Sequence, residues 1–208
     1  MILYIVFEGD NGTGKSTQLG RVKGSLDKIF KNSNDILESI SDVKGYKQPH
    51  INIFHEGDTC KKSHDNWYAT VFDYALDRVN TQHLIEEKYF PDITIADRSY
   101  YSSIVYQGDG DKPNMDYVRL VNTFAIEPEV IFLFTNNDNS PIFNEYKNVL
   151  PAGKTYIIDT SDDSIEKTTS HIVEIILFLW LKEYKQLPVD DVIKTMKQIA
   201  FYNEEIGI

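Results

Sequence analysis

The sequence predicts an α/β fold built on a five-stranded parallel sheet with helices on both faces. Two observations carry that expectation. Short apolar runs alternate with segments of helical periodicity, as strands and crossover helices do in a parallel sheet. The first apolar run is followed at once by FEGDNGTGKSTQ, Phe7 to Gln18, in which Gly9, Gly14, Lys15 and Ser16 satisfy the G-x-x-x-x-G-K-[ST] pattern of a phosphate-binding loop.

Each element has its own signal. Ile2 to Phe7 is continuously apolar, as expected of a central strand buried on both faces. The segment from Lys15 carries Leu19, Val22, Leu26, Ile29 and Phe30 at helical spacing. Lys31 to His50 is polar; Ile36, Leu37 and Ile40 predict one short helix there, and Gly45 and Pro49 a loop. Ile51 to Phe54 is the second strand, and Glu56-Gly57-Asp58 turns the chain at the end where open α/β sheets bind ligands. A long helix is expected over Asp65 to Lys88, with Trp67, Val71, Tyr74 and Arg78 on one face.

Ile93 to Ala96 is the third strand, with Asp97-Arg98-Ser99 just past its end. Asn114 to Phe124 reads as a helix and Val130 to Phe134 as a buried strand. Tyr156 to Ile158 makes the fifth strand, after a Pro151–Gly153 turn. Ser164 to Lys185 is helical, and Leu187-Pro188 breaks it. Val189, Val192, Ile193, Met196 and Ile199 share one face of a last amphipathic helix. The expected organisation is one domain over 1–187, with 188–208 a helical appendage packed on it.

Composition narrows the function. With 208 residues the chain can bury a full core, and 41% apolar with 25% charged residues is ordinary for a soluble protein. A formal net charge of −11 disfavours a nucleic-acid polymer or an anionic membrane as partner. A nucleotide site is therefore a local basic pocket, and only Arg21, Arg78, Arg98 and Arg119 can supply arginine to it. Cys60 is alone, which excludes an internal disulfide and suits a reducing cytoplasm. The longest apolar run, Ile172 to Leu181, contains Glu174 and is too short to span a bilayer; no signal peptide is expected.

The phosphate loop has a definite chemistry. Its glycines let successive N–H groups converge on phosphate oxygens, and the following helix adds its unpaired N–H groups and dipole. Lys15 supplies a mobile charge, and the Ser16 hydroxyl can hold Mg²⁺. Asp97 and Arg98 could bind metal and phosphate beside that loop, or form a surface pair at a strand end. Tyr74 and Arg78, one turn apart, could hold a base and its phosphate, or be a core tyrosine beside a solvated arginine. In YYSSIVYQGDG, Tyr100 to Gly110, the residues Ser102, Ser103, Tyr106 and Gln107 could recognise a base or sugar, or be helix-surface polar groups. The five histidines have no metal-ligand spacing.

Together and in this order, FEGDNGTGKSTQ, YALDRVNTQH (Tyr74 to His83) and DRSYYSSIVYQGDG (Asp97 to Gly110) resemble thymidylate kinase, a family of P-loop nucleoside-monophosphate kinases. The resemblance spans most of Met1 to Lys185 and implies a P-loop NTPase three-layer fold that phosphorylates dTMP to dTDP. It implies ATP as phosphate donor and Mg²⁺ as cofactor. ATP would sit on Gly9, Asp10, Asn11, Gly12, Thr13, Gly14, Lys15, Ser16 and Thr17. Ser16 and Asp97 would hold the metal. Arg78 and Arg98 would grip the acceptor phosphate, and with Lys15 and Asp97 they form the implied catalytic set. Tyr74 would stack on thymine, Ser103 and Gln107 would contact the base, Tyr106 would crowd the sugar's 2′ position, and Asn11 would bond a sugar hydroxyl. A homodimer is also implied.

The chain departs from the family pattern in four ways. Asn11 replaces an acidic residue of the phosphate loop. His55-Glu56-Gly57 replaces an Arg-Glu-Pro-type loop. Neither the phosphate loop nor Thr135 to Asn148 contains the expected transition-state arginine, for which Lys147, Lys154 or a neighbouring subunit would have to substitute. Lys31 to His50 is long, and the helix after Pro188 is extra. Two other readings stay open: a deoxynucleoside kinase, with Asp97-Arg98-Ser99 as its motif and Glu56 as base, and a nucleotide-binding protein that has lost catalysis.

Overall fold

A computed structural model describes residues 3–33, 51–55, 66–83, 93–161 and 164–205. Five strands, β1 (Leu3–Gly9), β2 (Ile51–His55), β3 (Ile93–Asp97), β4 (Val130–Thr135) and β5 (Thr155–Asp159), form one parallel sheet in the order β2-β3-β1-β4-β5. The chain runs from β1 to one edge and then crosses to the other, so the strand order reverses about β1. A crevice opens outside the carboxyl ends of strands at such a reversal. Register pairs Phe7 with Asp97 and Gly9 with Phe134, which sets the end of β3 and the end of β4 level with the start of the phosphate loop.

Seven α-helices are described: α1 (Lys15–Asn32), α2 (Trp67–His83), α3 (Tyr100–Gly108), α4 (Lys112–Val121), α5 (Pro141–Val149), α6 (Ile165–Leu179) and α7 (Val189–Glu205). A π-helical turn, Trp180–Tyr184, continues α6. The two-residue period of β1 sends Leu3, Ile5 and Phe7 to one face, where they pack with Leu19, Val22 and Leu26 of α1 and Ile172 and Ile176 of α6. Trp180 closes that layer, its ring 5.0 Å from that of Phe30. Truncating Trp180 to alanine would cost about 3–5 kcal/mol. Val6 points to the opposite face with Ala96, Ile131 and Leu133, under α3, α4 and α5.

The strands match the apolar runs because each run is buried. Every residue of β4 is buried, whereas β5, at the sheet edge, buries only Ile158 fully. The last helix contributes Val192 and Ile199 to the same core cluster as α1 and α6. The stretch from Tyr100 onward, for which helix was one of the open readings, forms helix α3. Ser99 starts it by accepting the Tyr101 N–H, and Tyr101, Ile104 and Val105 bury its inner side. The ends of the helix expected over Asp65 to Lys88, most of Lys31 to His50, the Glu56-Gly57-Asp58 turn and Cys60 lie outside the described residues. No helix among the described residues is long and apolar enough to cross a membrane.

Candidate functional site

The loop between β1 and α1 is shaped for an anion. Gly9 has φ +135°, and a Cβ there would lie 2.4 Å from the Phe134 carbonyl oxygen, so no other residue fits. Gly12 and Gly14 also hold positive φ, at 78° and 87°. No side chain caps the start of α1, and its first turn contains no acidic residue, so its leading N–H groups are left for a ligand. Lys15 folds back across the loop, and its Nζ donates to the carbonyls of Asp10 (2.6 Å) and Gly9 (3.0 Å). Burial, reinforced by the Arg98 charge, lowers the Lys15 pKa to about 8, against the pull of Asp97, Glu8 and Asp10.

The end of β3 meets this loop. Ser16 Oγ donates to Asp97 Oδ2 at 3.1 Å, so a hydroxyl and a carboxylate stand side by side where a phosphate-bound cation would need oxygen donors. Among the described residues no cluster of three metal-ligating side chains occurs, but a magnesium ion carried on phosphates needs only one or two protein ligands.

Arg98 follows with a left-handed backbone, φ 77°. Its Nη2 donates to Asn11 Oδ1 in the phosphate loop at 2.9 Å, and its Nη1 to Ser102 Oγ and Tyr146 Oη, both at 3.1 Å. Its guanidinium lies 5.0 Å from the Tyr106 ring centroid, and the Tyr106 hydroxyl donates to Asp10 Oδ1. Burial works against the Arg98 charge, but Tyr146, Tyr106 and Glu8 overcome it and hold its pKa above the ordinary guanidinium value. Asn11, Asp10, Arg98 and Tyr106 thus form one contiguous cluster with the phosphate loop.

A second cluster adjoins it through Ser99. Arg78 Nη2 donates to Ser103 Oγ (2.7 Å) and to the Ser99 carbonyl (3.3 Å), and Nη1 to Asn122 Oδ1 (3.0 Å). Its guanidinium carbon is 5.8 Å from the Tyr74 ring centroid. The open choice for this pair therefore resolves in one respect: Arg78 is half-buried and bonded into α3 and α4, not solvated. Gln107, one turn beyond Ser103, accepts the Trp67 indole N–H on its backbone carbonyl, while its side-chain Oε1 is buried with no hydrogen-bond partner. Thr17 is exposed on the first turn of α1 and makes no part of these clusters. The side chain of His55, and all of Glu56, lie outside the described features.

Sequence reasoning overlooked three residues. Glu8, the penultimate residue of β1, is fully buried and binds Ser99 and Ser102. An acid continuing a wholly apolar strand was a usable signal. Tyr146 and Asn122 reach Arg98 and Arg78 from positions 48 and 44 residues away, and nothing local marks them. Conversely, neither proposed substitute for the missing arginine reaches the site. Lys154 donates to the Pro128 carbonyl and pairs with Glu127 at 3.7 Å, at the amino end of β4. Lys147, in the last turn of α5, sits over its own helix's Phe143. Arg21 and Arg119 pair with Glu166 and Asp116 on the surface.

No model of a known protein family matches the chain. A probable thymidylate kinase of Methanocaldococcus jannaschii is 25% identical over 207 residues, which cover 99% of this chain and 94% of that protein. A thymidylate kinase of Finegoldia magna is 26% identical over 206 residues, covering 84% and 97%. The solved thymidylate kinase of Ehrlichia chaffeensis shares the fold, with a TM-score of 0.57 and 18% identity over 84% of this chain and 97% of that one. Near full-length similarity to thymidylate kinases, and a fold shared with a solved one, accompany in this chain a phosphate loop joined to an arginine after the third strand.

Proposed function

We propose that the protein transfers the γ-phosphoryl group of ATP to dTMP, giving dTDP and ADP, and that it does so in the cytoplasm. The observation that supports this most is the Arg98 side chain, which bonds to Asn11 of the donor loop while standing over Tyr106 on the acceptor side. In-line transfer needs two phosphates held together and their charge neutralised, with little covalent help. Gly9 to Thr17 would cradle the ATP phosphates, with Lys15 on the β and γ groups. Arg98 and Arg78 would hold the dTMP phosphate. Tyr74 would stack on thymine, Ser103 and the unpartnered Gln107 Oε1 would meet its polar edge, and Tyr106 would crowd the 2′ position. Ser16 and Asp97 would hold Mg²⁺, directly or through water, which when bound neutralises charge on the β and γ oxygens.

The test is a coupled assay with ATP against a panel of nucleosides and monophosphates. Turnover of dTMP without turnover of thymidine is expected; the reverse would favour a deoxynucleoside kinase. One observation also supports weak catalysis. All four arginines are accounted for, and none flanks the donor loop from the β4 or β5 side.

A homodimer is proposed through α2. Tyr68, Phe72, Leu76 and Val79 form an exposed apolar stripe along it. A concentration-independent monomer in sedimentation would remove that proposal. Residues 188–208 are read as an appendage to the domain over 1–187.

A further inference from the structure

Glu8 has an environment that its place in the sequence does not explain. The alternation of β1 sends its side chain to the face occupied by Val6, beneath α3 and α5, where it is fully buried. A carboxylate survives there only if both oxygens are satisfied. They are: Oε1 accepts the Ser99 N–H (2.8 Å) and the Ser99 hydroxyl (2.6 Å), and Oε2 accepts the Ser102 hydroxyl (2.6 Å).

That last bond sets the direction of those beyond it. Ser102 has one proton and spends it on Glu8, so in the 2.8 Å contact between Ser102 and Tyr146 the tyrosine is the donor. Both hydroxyl oxygens then turn lone pairs to Arg98 Nη1. The backbone is held as well. Arg98 N–H donates to the Phe7 carbonyl, and the next N–H, of Ser99, is the one bound by Glu8, so the end of β1 grips the left-handed Arg98 from both sides.

We propose that Glu8 is a positioning residue for Arg98: it orients Ser102, Tyr146 and the Arg98 backbone so that the guanidinium projects as a fixed prong toward the phosphate loop. This rests on the reading of Arg98 as a ligand of the acceptor phosphate. In Glu8→Gln the amide group must donate to Ser102. The Ser102 proton then turns to Tyr146, and the Tyr146 proton is left facing Arg98, donor against donor.

The test is steady-state kinetics with ATP and dTMP on Glu8→Gln, Arg98→Ala and the double variant. Glu8→Gln is expected to raise the dTMP KM roughly tenfold with the ATP KM nearly unchanged, and to add nothing once Arg98 is alanine. Tyr146→Phe, which removes one hydroxyl, should shift the dTMP KM in the same sense by less, and it replaces Glu8→Gln in the cycle if that variant does not fold. An unchanged dTMP KM, an equal rise in both KM values, or additivity with Arg98→Ala would overturn the inference while leaving the acceptor reading intact. An Arg98→Ala variant with normal dTMP kinetics would overturn the acceptor reading and the inference with it.

Discussion

The two flanks of the phosphate loop differ sharply. On the β3 side, Arg98 and Arg78 each bond to three partners among the described residues, and a buried carboxylate backs the first of them. On the β4 and β5 side, the segment from Asn136 to Ser140 contains no cation, and a hydroxyl, Thr160 Oγ1, donates to the Thr13 carbonyl. On the proposed reading, the arginines would hold the acceptor, and the donor's leaving group would be left to Lys15 and a metal. A site so divided would orient well but would neutralise developing charge on one side only. Arginines that complete such sites can supply a thousandfold or more in rate.

If Lys15 carries the donor side alone, its loss should be the most damaging single change. Lys15→Ala is expected to reduce kcat by about a thousandfold or more while the melting curve stays cooperative. Near-normal turnover would break the comparison at its base, because the phosphate loop would then lie outside the mechanism. On the opposite flank, Arg78→Ala should mainly raise the dTMP KM, by about 10–100-fold for a lost charge-assisted contact of roughly 1.5–3 kcal/mol. A change confined to the ATP KM would reverse the assignment of the two flanks.

What could be read from the sequence follows the same divide between local and distant information. β1, β3 and β4 were legible because each is a buried apolar run, and the phosphate loop because its glycines answer a backbone demand, most plainly at Gly9 against Phe134. The Asp97-Arg98 pair was legible from its position after a strand. Helix α3 was legible only as one of two alternatives, because its hydroxyl-rich sequence hides the buried face made by Tyr101, Ile104 and Val105. Glu8 was hidden by ending the apolar run one residue early. Tyr146 and Asn122 depend on α5 and α4 packing beside α3, which no local pattern encodes. Lys147 and Lys154 looked eligible as donor-side cations because they follow β4; the directions of α5 and β5 carry them to the far end of the sheet.

A gain of function would sharpen the comparison. Asp138 is exposed in the segment after β4, whose end is level with Gly9. Asp138→Arg should raise kcat by about tenfold, a fraction of what an evolved arginine supplies, with little change in the dTMP KM. No increase, with the fold intact by thermal melting, would mean that charge on this flank does not limit the rate.

No larger is the expected pH dependence of ATP binding, which belongs to the donor flank alone. Burial and the nearby Arg98 lower the Lys15 pKa to about 8, so the amine of the unliganded protein loses its proton as pH rises through that value. Between that value and the ordinary lysine range the unfolded chain binds more protons than the folded one, so Lys15 itself makes stability rise with pH there; the buried charge is a cost that deprotonation relieves. ATP binding has the opposite sign. Phosphate anions favour the protonated amine, and binding must return the proton, so affinity should fall by about tenfold between pH 7 and pH 9. Lys15→Arg keeps its charge throughout this range and should bind ATP with a nearly flat profile, whatever its absolute affinity. The dTMP affinity should stay level in both proteins, because Arg98 is held charged well above this range. An equal slope in Lys15→Arg, or a parallel fall in dTMP affinity, would show that the two flanks titrate together and are not electrostatically separate.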